Sequence, residues 1–185
     1  MGKGDIIFAD KLVHACLIDG AYLSEAALAR FRHNDMEHLE TLLKARRSEG
    51  KNAMILVDHV YSMDGDIAPL TDLSALAKEY DAWLLVDDAH GLGIVKPDPA
   101  AKVDLWMGTF SKAAGGYGGY VAANRRVIDY LSTSARSIIF STGLPPATLA
   151  ANYAALDIMG REPGLAVRAL RHAKRVAAAL ELPEA

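Results

Sequence analysis

The alternation of short apolar runs with longer amphipathic stretches constrains the fold of this chain more than any other feature. Several of the apolar runs are almost continuous, which is typical of parallel strands buried on both faces. Alternation of this kind predicts an α/β fold, with a mostly parallel sheet and helices on both faces. The predicted strands are Ile6–Ala9, Ala53–Asp58, Trp83–Asp87, Asp104–Gly108, Gly119–Ala123 and, with a weaker pattern, Ile138–Ser141.

The stretches between the strands carry helical patterns. Asn34 and Glu37 are spaced like a capping box in front of apolar residues that recur at helical intervals. Further helices are predicted over Asp72–Tyr80, after Asn124, from Pro145 to about Met159, and over Gly164–Leu180. The segment 160–164 is the only plausible boundary, so we expect 1–160 to be part of a large domain and 161–185 to be a helix leading towards a small C-terminal domain.

Composition and charge narrow the class of protein. The net charge of −3 does not suggest a nucleic-acid partner. Cys16 is the one cysteine, so an internal disulfide is impossible and a reducing compartment is expected. The apolar runs are too short to span a membrane, and the first residues do not match a signal peptide. We therefore expect a cytoplasmic protein with no membrane-spanning segment.

Polar clusters follow three of the predicted strands, at 58–62, 87–90 and 109–112. In open α/β sheets, ligands bind at the carboxyl ends of the strands. A strand-end carboxylate alone would mean little, since Asp commonly begins a turn or caps a helix. Lys112 is more informative, because it follows a buried-looking strand and precedes a glycine-rich segment at 115–119.

A lysine, an aspartate and a histidine at neighbouring strand ends match the needs of pyridoxal phosphate. Lys112 can supply the amine that links the cofactor covalently. A carboxylate such as Asp87 can keep the pyridine nitrogen protonated, which improves the ring as an electron sink. Thr109 and the backbone of the glycine-rich segment can bind the phosphate. The sequence therefore predicts pyridoxal phosphate as the cofactor.

A metal site is the alternative for the same acidic and histidine residues. It is disfavoured, because the candidate ligands lack close helical spacing and Lys112 would be left without a role. The candidate ligands are His14, Asp58, Asp87, Asp88 and His90.

Six ordered motifs together resemble the α-oxoamine synthase family of fold-type I pyridoxal-phosphate enzymes, and they cover nearly the whole chain. They are KLVHACLIDGA, FRHNDMEHLE, VYSMDGDIAPL, VDDAHGLG, MGTFSKAAGGYGGYVAA and FSTGLPP. The resemblance implies an acyltransferase that joins a small amino acid to an acyl-CoA or acyl thioester with loss of CO2. The form of the motifs favours the members that use alanine in biotin synthesis, while members that use glycine or serine stay open.

The resemblance also implies roles for particular residues. Lys112 is expected to bind the cofactor covalently and Asp87 to pair with the pyridine nitrogen. His90 is expected to hydrogen-bond the ring hydroxyl, and His14 to stack on the ring face. These four are the predicted catalytic residues.

Four further residues are implied only as cofactor contacts. Ser62 is expected near the ring hydroxyl and Thr109 at the phosphate. Ser141 and Thr142 are expected to reach the phosphate of a neighbouring subunit, which implies a homodimer with a shared active site.

The chain also departs from the pattern of the family. Asp58 stands where many relatives carry Glu. The family's N-terminal glycine-rich turn and its C-terminal domain, with an arginine for the substrate carboxylate, have no counterpart in this sequence. We therefore expect a central part of a longer polypeptide, inactive as 185 residues alone. An inactive copy that acts by binding a partner is the alternative from another class.

Overall fold

The computed structural model describes residues 1–181 and confirms the predicted α/β fold. The strands are β1 (Ile6–Asp10), β2 (Ala27–Phe31), β3 (Ala53–Asp58), β4 (Trp83–Asp87), β5 (Leu105–Thr109) and β6 (Gly119–Ala123). They form one sheet in the order β2-β1-β3-β4-β5-β6. The neighbours from β2 to β5 pair in parallel, and β6 pairs antiparallel with β5.

The helices connect the strands and continue after the sheet. They are α1 (Ala15–Leu23), α2 (Met36–Arg46), α3 (Leu70–Glu79), α4 (Arg125–Ser134), α5 (Arg136–Ile139), α6 (Pro146–Arg161) and α7 (Gly164–Ala179). Within residues 1–181, no helix combines the length and the apolar composition that a membrane crossing requires. The end of the predicted C-terminal segment, at 182–185, lies outside the described residues.

The core lies on both faces of the sheet, because successive side chains of a strand point to opposite sides. Ile55 of β3 faces helices α2 and α3 and packs in one cluster with Leu39 and Leu73, all three fully buried. Leu56, the next residue, faces the other side and packs in a second cluster with Leu17 of α1. The near-continuous apolar runs of the sequence are thus explained by burial on two faces.

Two predictions about local structure were wrong. Ile138–Ser141 is not a strand, since helix α5 covers Arg136–Ile139. The residue that caps α2 is Asp35 and not Asn34: the Asp35 carboxylate accepts a hydrogen bond from the His38 backbone N–H at 2.8 Å. Asn34 instead has a positive φ of 49° and donates its side-chain amide to Asp66 at 2.7 Å.

A partly buried cluster of His33, Asp10 and Asp66 connects the carboxyl ends of β1 and β2. The His33 ring lies between two carboxylates, with Nδ1 2.9 Å from Asp10 and Nε2 2.5 Å from Asp66. Burial lowers the pKa of His33, but the hydrogen bonds to both carboxylates outweigh it and raise the pKa overall. The cluster ties the loop after β3 to the ends of the first two strands.

Replacement of Ile55 by Ala tests the central position of β3. Ile55 is fully buried, so Ile55→Ala should lower the free energy of unfolding by about 2–4 kcal/mol, from lost apolar contact and the cavity left behind. Ile67→Ala is the matched control, because Ile67 is 52% exposed and its truncation should cost less than about 0.5 kcal/mol. Urea unfolding measures both, and equal losses would contradict the assigned core.

Candidate active site

A cleft of about 220 Å³ opens at the carboxyl ends of β3, β4 and β5, beside the start of α1. The structure brings all four predicted catalytic residues into its lining, together with the predicted phosphate contact. These are His14, Asp87, His90, Lys112 and Thr109. These five residues come from three separate segments of the chain, and their convergence in one cleft is the central geometric finding of the structure.

Parallel strand pairing places the two carboxylates of the cleft side by side. Asp58 ends β3, Asp87 ends β4, and the two residues are partners in the strand register. Both are nearly buried, with 4% and 5% of their surface exposed. They point to the same side of the sheet as Leu56 and Leu85, which is the side covered by α1.

Lys112 contacts His90 within the cleft. The Lys112 Nζ lies 2.8 Å from His90 Nε2. Burial lowers the pKa of His90, and the positive charge of Lys112 lowers it further. The lowered pKa of His90 favours the uncharged ring at neutral pH, and its Nε2 can then accept a hydrogen bond from Lys112 Nζ.

His14 stands at the beginning of α1 and borders the cleft. Its backbone N–H donates to Asp58 at 3.2 Å, and its ring Nδ1 accepts from the backbone N–H of Cys16 at 3.3 Å. These two hydrogen bonds fix both the backbone and the ring of His14. Burial raises the pKa of the Cys16 thiol, and the charges of Asp87 and Asp58 raise it further, so the thiolate is disfavoured.

Asp58 is the cleft residue with the largest change in acidity. Burial raises its pKa to about 7, and the nearby charges of Asp87 and Asp10 act in the same direction. The hydrogen bond from the His14 backbone acts against them. Two neighbouring buried carboxylates disfavour each other's ionisation, so one of the pair holds a proton over part of the neutral range.

Asp88, the second acid of the DDAH motif, points away from the cleft. Its carboxylate lies 2.6 Å from the His59 Nδ1 on the opposite side of the strand, and both residues are buried. Of the two adjacent aspartates, only Asp87 lines the cleft. Side-chain alternation along the strand therefore separates their roles.

Thr109 and Ser111 line the side of the cleft next to Lys112, and the glycine-rich segment follows them in the chain. The Thr109 hydroxyl lies 2.8 Å from the Ser111 hydroxyl. The amides of Gly115 and Gly116 donate to the carbonyls of Lys112 and Phe110, at 3.0 and 2.7 Å. Because these amides are engaged within the chain, the expected phosphate contacts from this part of the segment are not supported.

Asn152 of α6 holds the glycine-rich segment in place. It is buried, its side-chain amide donates to the Tyr117 carbonyl at 2.9 Å, and its oxygen accepts the Tyr117 N–H at 3.3 Å. A Cβ at Gly116 would overlap the Asn152 oxygen. Sequence reasoning missed Asn152, whose only signal was a polar residue among the alanines of α6.

Three predicted cofactor contacts lie outside the cleft lining. Ser62 is exposed in the turn after β3. Ser141 is exposed after α5 and donates its hydroxyl to the Ile138 carbonyl at 3.1 Å, and Thr142 beside it is also exposed. Their predicted roles remain predictions. Among residues 1–181 no group of three or more His, Cys, Asp or Glu side chains could hold a metal ion.

The family of aminotransferases of class I and II matches residues 1–183. The chain belongs to this family. It is 53% identical over 184 residues to the 8-amino-7-oxononanoate synthase of Methylobacterium nodulans, with 100% of this chain and 48% of that protein covered. The enzyme of the same name from Methylorubrum extorquens strain PA1 is 53% identical over 185 residues, with the same coverage. The chain thus spans about half the length of the curated relatives it matches.

Solved structures confirm the fold. Serine palmitoyltransferase from Sphingomonas wittichii superposes with a TM-score of 0.79 and 35% identity, over 85% of this chain and 42% of that one. The 8-amino-7-oxononanoate synthase from Francisella tularensis superposes with a TM-score of 0.79 and 28% identity, over 99% and 56%. The resemblance to α-oxoamine synthases is confirmed by these matches.

The raised pKa of Asp58 predicts that the stability of the fold depends on pH. Its pKa rises from 3.8 to about 7 on folding, so the folded chain binds a proton that the unfolded chain releases between these values. Stability from this group therefore falls as the pH rises from about 4 to 7. Asp58→Asn keeps the acceptor for the His14 N–H and should gain on the order of 2 kcal/mol over the parent at pH 8, but little at pH 4.

Thermal unfolding at the two pH values measures this difference. The exposed Asp64→Asn is the matched control and should change stability equally little at both. A gain for Asp58→Asn that is the same at pH 4 and pH 8 would contradict a buried, protonated Asp58.

Proposed function

We propose that this chain provides the cofactor-binding part of a pyridoxal-phosphate-dependent acyltransferase. The reaction joins alanine to an acyl-CoA or acyl thioester and releases CO2, as in an 8-amino-7-oxononanoate synthase of biotin synthesis. The convergence of Lys112, Asp87, His90 and His14 in one cleft carries the proposal. The 53% identity to enzymes of that name favours it within the family.

The donors and acceptors of the cleft fit pyridoxal phosphate. Lys112 offers an amine at one side of the cleft, and Asp87 offers a carboxylate from the floor. His14 offers a ring at the border, and Thr109 offers a hydroxyl near the glycine-rich segment. A related solved serine palmitoyltransferase, 34% identical with a TM-score of 0.78, holds pyridoxal phosphate.

Lys112 performs two tasks in the proposed mechanism. Its Nζ would hold pyridoxal phosphate covalently, and as a free amine it would accept the proton from the amino acid Cα. When bound, pyridoxal phosphate supplies the electron sink for the charge left on that carbon. The uncharged His90 next to Nζ can accept a hydrogen bond from Lys112 without adding a second positive charge.

The remaining cleft residues bind and orient. Asp87 would hold a proton on the pyridine nitrogen, since an adjacent carboxylate favours the charged ring. His90 would donate a hydrogen bond to the ring hydroxyl. His14 would cover one ring face and Thr109 would bind the phosphate.

The wider assignment extends beyond the cleft. We place 1–160 in the large cofactor-binding domain and 161–185 in the helix towards a small domain. Ser62 is assigned to the ring hydroxyl, and Ser141 and Thr142 to the phosphate of a second subunit, in a homodimer. The cytoplasm stays the predicted compartment.

A serine palmitoyltransferase-like activity is the second candidate, since those structures superpose with TM-scores up to 0.80. The amino acid that the enzyme prefers distinguishes the two candidate functions. Protein carrying this sequence should release CoA from a set of acyl-CoAs with alanine and much more slowly with serine or glycine. Preference for serine would favour the second candidate.

Covalent trapping tests the role of Lys112. Incubation with pyridoxal phosphate and reduction with borohydride should add one cofactor mass to the peptide that contains Lys112. Lys112→Ala should lose the adduct, while the control Lys102→Ala, at an exposed position, should keep it. An adduct elsewhere, or none, would refute the assignment and leave an inactive binding protein as the alternative.

Removal of one charge tests the role of Asp87. Asp87→Asn keeps the shape but cannot hold the pyridine proton, so turnover should fall by about 100-fold or more, from a loss of several kcal/mol. The control Asp129→Asn changes an exposed carboxylate on α4 and should leave turnover unchanged. The rate of CoA release measures both, and near-parent activity of Asp87→Asn would exclude this carboxylate from the ring nitrogen.

A further inference from the structure

His59 does not line the cleft, but it contacts Asp87 and Asp88, the first two residues of the DDAH motif. It follows β3 directly and is 1% exposed. Its backbone N–H donates to the Asp87 carbonyl at 2.8 Å, and its ring Nδ1 lies 2.6 Å from the Asp88 carboxylate. His59 thus contacts the backbone of Asp87, just before the turn, and the side chain of Asp88, the first residue of the turn.

The turn held by this contact carries the proposed cofactor residues. The Asp88 carbonyl accepts hydrogen bonds from the amides of Gly91 and Leu92, at 3.2 and 3.0 Å. The Asp87 carboxylate accepts the amide of Ala89 at 2.9 Å. The positions of Asp87 and His90 on either side of Asp88 therefore depend on how Asp88 is held.

The His59–Asp88 pair is tightly packed against two of its neighbours. A Cβ at Gly91 would overlap both the Asp88 carboxylate and the His59 ring. On the other side, the Trp106 ring meets the His59 ring edge to face, with centroids 5.8 Å apart. The pair is therefore closely packed against Gly91 and against the Trp106 ring.

We propose that His59 is a positioning residue, which holds Asp88 so that the turn presents Asp87 and His90 to the cofactor. The main effect of this contact is orientation, since a short hydrogen bond between an imidazole and a buried carboxylate fixes both partners. The inference rests on the proposed function and adds to it a residue that touches neither cofactor nor substrate.

The test separates orientation from stability with three variants. His59→Leu removes the donor and leaves the Asp88 charge buried without its partner, so it should also destabilise the fold. His59→Leu combined with Asp88→Asn removes that charge and should recover thermal stability. His59→Asn keeps an N–H donor at the position of Nδ1 and is the conservative variant. His172→Leu, at an exposed position of α7, is the matched control.

Pyridoxal phosphate titration, followed by the absorbance spectrum of the bound cofactor, gives the first readout. The double variant should bind about 10- to 100-fold more weakly, with a shifted spectrum, although its stability is recovered. His59→Asn should retain most of the affinity and the parent spectrum. Parent-like affinity and spectrum in the double variant would overturn the proposal.

Hydrogen exchange of the peptide that covers 87–92 gives a readout without cofactor. The double variant should exchange faster than the parent there, and His59→Asn and His172→Leu should not. Unchanged protection in the double variant would overturn the proposal even if cofactor binds. If the parent binds no pyridoxal phosphate, the proposed function fails, while exchange still decides whether His59 holds the turn.

Discussion

The parallel pairing of β3, β4 and β5 is the constraint on which the rest of the site depends. In-register pairing brings the last residue of β3 next to the last residue of β4, and β5 lies on the other side of β4, with Met107 opposite Asp87. Residues 58, 87 and 109–112 are far apart along the chain, and only this pairing makes them neighbours. The buried clusters on both faces of the sheet stabilise the pairing and thereby the cleft.

Such a site places carboxylates where water is largely excluded, and each carboxylate has different hydrogen-bonding partners. Asp88 is paired with His59, Asp10 is paired with His33, and Asp58 is left mostly to burial, which raises its pKa. Asp87 accepts one backbone amide and borders the cleft. A protonated pyridine ring of the cofactor, bound beside Asp87, would add a positive charge next to the carboxylates on this side of the sheet.

Sequence reasoning predicted the elements that have strong hydrophobic patterns or clear breakers, and the strand-end residues of the cleft. It missed β2 and α1, because Ala27–Phe31 is a short edge strand with an exposed charged residue and Ala15–Leu23 has no clear apolar stripe. It also missed His59 and Asn152, since their importance arises from contacts 29 and 35 residues away along the chain. Long-range pairing of single polar residues leaves no periodic signal.

The Asn152 contact has a consequence for distant positions on α6. Its two hydrogen bonds to Tyr117 join the middle of a sixteen-residue helix to the backbone that follows Lys112. A shift of α6 along its own axis would also move that backbone, because the Asn152 side chain packs closely against Gly116. Helix α6 therefore restrains the backbone that follows the proposed cofactor lysine.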